Sequence, residues 1–174
     1  HLELCVIAEE LGRFLAPVPF SSSVYLFTEA IIKYGSEEIK KDLLPKLVSG
    51  DVIGTLAVTE DLFAPSKDNI KLSCESGKID GKKIAVPDAS IATHALVVAK
   101  SEKGICLQVA DLSHEGVSIE HQENIDESRG HFSITFDGVD TQAIGDEISG
   151  WDIYESIINQ AAVLFSYEQI GGSQ

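Results

Sequence analysis

Two changes in hydrophobic period, at Asp51 and at Gly150, constrain what this chain can fold into more than any other feature. Before Asp51, apolar residues recur at helical spacing through Leu2, Cys5, Val6, Ala8, Leu11 and Leu15, and again through Val24, Phe27, Ile31 and Tyr34. A third set runs through Ile39, Leu43, Leu44, Leu47 and Val48. Such spacing puts each set on one side of a helix. Pro17 and Pro19 stop the first helix, Ser21 to Ser23 offer N-caps and Gly35 a C-cap for the second, and Ser36 and Gly50 bound the third. Pro45 falls inside the third and is expected to break or kink it, because its ring removes a donor and crowds the preceding turn.

From Asp51 the period is two. "DVIGTLAVTE", "IKLSCES", "GKIDGKKIAVP", "THALVVAK", "ICLQVADL", "GVSIEH" and "HFSITFDGV" read as short strands separated by turns, among them Ser76-Gly77 and Asp80-Gly81. After Gly150 the helical spacing returns through Trp151, Tyr154, Ile157, Ile158, Ala161, Leu164 and Phe165. The predicted class is α+β, with three parts. Residues 1–50 form N-terminal helices, 51–149 an all-β, barrel-like middle domain, and 150–174 the first helix of a C-terminal helical bundle. The chain has no Met, opens inside a helical pattern and closes on "YEQIGGSQ", so it reads as part of a longer protein.

Charge narrows the partners. With 28 acidic and 13 basic residues the net charge is −15, a field that repels nucleic acid and anionic membrane surfaces. No apolar run approaches the ~18 residues of a membrane span. Cys5, Cys74 and Cys106 are odd in number and lie in apolar runs, which fits buried, reduced thiols in a cytoplasmic protein. His1, His94, His114, His121 and His131 lack metal-ligand spacing, and no metal site is expected. Asp111 and Asp137 sit in turn-like contexts, and the acidic "ENIDES" reads as a solvated loop. The self-contained catalytic signatures are absent: there is no G-x-S-x-G, Walker A loop, G-x-G-x-x-G, H-E-x-x-H or C-x-x-C.

The stretch "YGSEEIKKDLLPKLVSGDVIGTLAVTE", preceded by "AEELGRFLAPVPFSSSV", resembles the acyl-CoA dehydrogenase family, and the likeness extends over essentially the whole chain. The resemblance implies an all-β domain between two helical domains, with FAD held where that domain meets the C-terminal helices. It also implies the reaction, α,β-desaturation of an acyl-CoA thioester with hydride transfer to flavin. Electrons then pass to an electron-transfer flavoprotein or a similar acceptor, and a homo- or hetero-oligomer is expected because the family builds cofactor sites partly across subunits.

By the same resemblance, Thr59 matches the family threonine that bonds the flavin, Leu56 and Val58 match flanking positions, and Ser66 stands in for the serine of a turn that the family brings close to phosphate. Ala85, Val86 and Pro87 fall where the family has a tryptophan, an aliphatic residue and a threonine or serine over the ring. Alanine supplies no aromatic cover, and proline neither hydroxyl nor N–H. The family's catalytic glutamate belongs to the C-terminal helical domain, and no catalytic residue is assigned; Glu155 and Glu168 read as solvated helix acids. Because FAD and CoA are anionic, binding them calls for donors such as Lys82, Lys83 or Arg129. Three readings remain: a FAD-dependent acyl-CoA dehydrogenase, a non-catalytic or flavin-poor subunit of a heteromeric one, and an acidic protein-binding module without cofactor.

Overall fold

A computed structural model describes residues 2–125 and 129–174. His1 and the end of the acidic "ENIDES" run lie outside the described residues. Helix α1 (Leu2–Arg13) is followed by a π-helical segment (Ser21–Thr28) that runs directly into α2 (Glu29–Tyr34), and α3 (Glu37–Ser49) completes the helical part. Seven strands follow: β1 (Gly54–Ala57), β2 (Ser73–Glu75), β3 (Lys78–Pro87), β4 (His94–Lys100), β5 (Ile105–Asp111), β6 (Val117–Gln122) and β7 (His131–Ile144). Helix α4 (Gly150–Gly172) is the last of the described elements.

The sheet closes on itself. β4, β2, β3, β7 and β5 pair in that order and β5 pairs back with β4, while β1 adds to β4 and β6 to β7. Long β7 is the spine: its first part lies between β3 and β6, and its last residues, Thr141 to Ile144, pair with β5.

Alternation along the strands makes two cores. Leu56, Val58, Leu96, Val98, Leu107 and Val109 face the helices and pack with Tyr25, Phe27, Trp151 and Ile157. Ala57, Ala95, Val97, Ala99, Cys106 and Ala110 face the barrel interior with Val86, Phe132 and Ile134. β1, β4 and β5 are therefore buried on both sides, which is why they are almost wholly apolar.

Several local expectations change in three dimensions. Ser21 to Ser23 are not caps: the helix continues through Phe20 without a side-chain cap, Ser21 and Ser22 are buried, and the Ser23 hydroxyl accepts from the Gly54 N–H at 3.1 Å. The wide turn is matched by Thr28, whose hydroxyl donates to the carbonyl of Ser23, five residues back, at 2.7 Å. Pro45 does not break α3, which runs uninterrupted from Glu37 to Ser49; the bond it forgoes would have engaged the carbonyl of solvent-exposed Lys41.

Ser76-Gly77 does form the tight turn, both residues at positive φ (51° and 78°). Asp80-Gly81, by contrast, lies within β3, where the register shifts between Ile79 and Gly81. A dipeptide that marks a turn also marks a bulge. Asp111 behaves as a turn residue, accepting from the Ser113 N–H at 2.8 Å, whereas Asp137 is inside β7.

Ser36 caps α3, its hydroxyl accepting from the Ile39 N–H at 3.2 Å. Ser36→Ala is expected to lower stability by about 1 kcal/mol, read as a shifted urea midpoint with unchanged slope.

Candidate functional site

Beyond the end of β1 at Ala57 the chain runs through Val58 into Thr59, Glu60 and Asp61, and the two acids prove to be structural. The Glu60 carboxylate accepts the N–H groups of Lys71 and Leu72 at 2.8 and 3.0 Å and the ammonium of Lys83 at 2.6 Å. Lys83 also donates to the Val58 carbonyl at 3.0 Å, and its side chain is 0% exposed. Burial pushes the Lys83 ammonium down to about 8, against the opposing pull of Glu60. Asp61 turns the chain locally, accepting from the Phe63 N–H at 2.9 Å. Thr59 is what remains: half-buried, its carbonyl taken by the Ile84 N–H at 2.8 Å, its hydroxyl engaged by no hydrogen bond among the described residues.

The fold brings Leu56, Val58 and Thr59 beside Ala85, Val86 and Pro87. The Thr59–Ile84 bond and a 2.6 Å bond from the Thr55 hydroxyl to the Pro87 carbonyl hold β1 against the end of β3. The side chains of Leu56 and Val58 belong to the helix-facing core and that of Val86 to the barrel core, so these three offer a ligand backbone rather than apolar surface. Ala85 is exposed at φ 52°, in a bulge of β3, and its N–H donates to the Gln122 side-chain carbonyl at 2.7 Å. Ser66 lies apart, in a turn closed by Asn69. In the same loop Leu62 and Phe63 are exposed, and Lys67 pairs with Asp152 of α4 at 2.9 Å.

The fit to a flavin is one-sided. Thr59 and the adjacent backbone can serve the edge that gathers negative charge on reduction. The opposite side offers an occupied N–H at Ala85 and none at Pro87. Nor is every basic residue free for phosphates. Lys83 is committed to Glu60, and Arg129 donates to Ser21 and Ser22 at 2.5 and 3.0 Å and pairs with Asp88; exposed Lys82 has only a surface contact with Glu120 at 3.4 Å.

Cavities also open among the described residues, and two of them are not lined by Thr59 or its neighbours at this rim. One, about 410 Å³, lies between α1, the π-helical segment and α4, walled by Leu11, Leu15, Val18, Phe20 and Phe165, with Glu168 and Arg129 among its lining. Its walls come from distant parts of the chain. The other, about 470 Å³, has Cys74 and Cys106 on its floor and Glu75, Glu102 and Glu147 around it, a poor host for an anion. Burial and the neighbouring Cys106 push the Cys74 thiol up to about 12, so it stays protonated and unreactive. Among the described residues no group of His, Cys, Asp and Glu could hold a metal, and no helix is long and apolar enough to cross a membrane.

Known proteins share this arrangement. The family model for the acyl-CoA dehydrogenase N-terminal domain matches residues 1–51. A mitochondrial 2-methylacyl-CoA dehydrogenase of Solanum tuberosum is 28% identical over 131 residues, covering 68% of this chain and 31% of that protein. The Tcur3481-Tcur3483 steroid ACAD structure is 28% identical with a TM-score of 0.79, over 97% of this chain and 45% of that one. The FAD complex of PigA has the same fold, at 22% identity and a TM-score of 0.83, over 98% of this chain and 49% of that one. The chain thus spans under a third of its curated relative and about half of these solved structures. Sequence likeness through the N-terminal helices and a shared order of helices, closed barrel and helix agree in what they point to: the chain is similar to the acyl-CoA dehydrogenase family.

Proposed function

We propose that the protein takes part in FAD-dependent α,β-desaturation of an acyl-CoA thioester, as one chain of an oligomer in the cytoplasm, delivering electrons to an electron-transfer flavoprotein or a similar acceptor. FAD, when bound, supplies the hydride acceptor. The observation that carries the reading is Thr59, half-exposed just beyond the end of β1 with a hydroxyl engaged by no hydrogen bond among the described residues, held in place by the Thr59–Ile84 bond and by the Lys83–Glu60 pair beside it. A fixed donor of this kind stabilises charge that develops on an adjacent acceptor without reorganising. The apolar cavity between α1 and α4 gives an acyl group a place to leave water.

A second reading has its own observation. The Gln122–Ala85 bond and the proline at position 87 leave the far side of a flavin unsupported, which suits a flavin-poor subunit paired with a related, flavin-holding chain. The purified protein, with any chain that co-purifies, separates the two. Stoichiometric flavin that binds roughly tenfold more weakly in Thr59→Val, the effect of one lost hydrogen bond to a charged acceptor, supports the first. Colourless protein that takes up no FAD, alone or with its partner, refutes it; flavin found only on the partner establishes the second.

A further inference from the structure

We propose that Lys83 is a positioning residue for the flavin site: its ammonium polarises the Val58–Thr59 peptide, so that the Thr59 N–H becomes a stronger donor to an acceptor that gains negative charge at the rim. This rests on the flavin reading above and adds to it a tuning group that the reading does not use. Lys83 donates to the Val58 carbonyl at 3.0 Å, and that carbonyl shares one peptide unit with the Thr59 N–H. The unit is planar and trans, so its N–H points away from the ammonium. No hydrogen bond among the described residues engages that N–H, and Thr59 is only half-buried. Hydrogen bonds made by the two ends of one peptide strengthen each other, because a positive charge at the oxygen draws electrons from the nitrogen, and the effect grows where water is excluded.

The cation is fixed and dry. Its side chain is fully buried, and Glu60 holds it at 2.6 Å. Glu60 balances the charge without cancelling its direction: the carboxylate is shared with the N–H groups of Lys71 and Leu72, whereas the ammonium alone touches the Val58 carbonyl. Burial holds Lys83 down to about 8, opposed by Glu60 and, more weakly, by Cys106 of β5. The polarisation is therefore present below about pH 8 and is lost as pH rises beyond it.

Two measurements on the intact protein test this. Without flavin, the Thr59 amide resonances, followed by nuclear magnetic resonance, should shift with an inflection near pH 8 that Lys83→Met abolishes. With flavin bound, Lys83→Met should weaken the preference for the reduced over the oxidised form roughly tenfold, the difference between a neutral hydrogen bond and one to a charged group. For a two-electron couple that is a midpoint potential about 30 mV more negative. Lys83→Met combined with Glu60→Gln removes both charges and should move the potential in the same direction. Thr59 resonances without the inflection, or with one that survives Lys83→Met, overturn the proposal. So does a potential that shifts only in the single variant, where the unpaired Glu60 carboxylate is the cause. Protein that takes up no FAD defeats the flavin reading by itself, and the amide titration still decides whether Lys83 polarises the peptide.

Discussion

Replacing Glu60 with alanine is expected to destabilise the fold by about 3–5 kcal/mol, measured by urea unfolding at neutral pH. The size follows from what the carboxylate holds: the side chains of Lys83 and Glu60 are 0% and 9% exposed, and the same carboxylate takes the N–H groups of Lys71 and Leu72. Alanine leaves an ammonium buried without its counter-ion and two backbone donors unmet. Lys83→Met combined with Glu60→Gln, which keeps an acceptor for the N–H groups, should recover much of the loss. A cost below about 1 kcal/mol for Glu60→Ala, the scale of an exposed pair, would mean that the pair is not closed to water.

The same pair sets a pH signature. Lys83 is held down to about 8, while an unfolded lysine titrates near 10.4. Between about pH 8 and about pH 10.4 the unfolded chain binds more protons, so this group makes the fold more stable as pH rises, and its burial cost is fully present below that window. Tyr25 and Cys74, both raised by burial, act in the opposite direction, because the unfolded chain releases their protons first. The stability difference between the unaltered protein and Lys83→Met isolates the lysine. It should move in favour of the unaltered protein across the window; a flat difference contradicts the assignment.

Gly171→Ala should cost about 3 kcal/mol or more, at the upper end of overpacking, although intrinsic helix propensity alone predicts a gain of up to about 1 kcal/mol. The sign therefore decides. Helices α1 and α4 touch backbone to backbone: a Cβ on Gly171 would stand 1.8 Å from the Glu9 carbonyl oxygen, and one on Gly12 1.9 Å from that of Glu168. Neither carbonyl can move without its helix. Gly172→Ala is the control, since its Cβ would meet the Gly12 oxygen at 3.5 Å and the Leu15 side chain at 4.0 Å, both ordinary contacts. Gly12→Ala should behave like Gly171→Ala, and the two together should cost less than their sum, because one separation of the helices relieves both. Thermal unfolding of the four variants reads the pattern directly.

Much of the architecture is legible in periodicity. The switches at Asp51 and Gly150 locate the strands between their helices because a half-buried strand and a half-buried helix need different spacings. Less legible were places where one signal serves two structures. Asp80-Gly81 is a bulge within β3, the serines before Val24 bond across the fold instead of capping, and β7 continues through "DTQAI", whose alternation is blurred by polar residues on a barrel edge. Thr59 is singled out by resemblance alone. Glu60 could not be given its task, because its partners at positions 71, 72 and 83 meet it only after the barrel has closed. The cavity was invisible for the same reason: Leu11 and Phe165 share a wall only because two glycines let α1 and α4 approach.

That glycine seam joins Leu2–Arg13 to Gly150–Gly172, elements translated far apart in time. At ~5–20 residues per second the ribosome needs on the order of ten seconds between them. During that interval α1 is a nascent segment with Cys5, Ala8 and Leu11 uncovered, available to chaperones or to a neighbouring nascent chain. Emergence of α4 is thus the event that gives α1 its partner, and a chain stalled before Gly150 would hold a barrel beside which α1 lacks the helix it packs on.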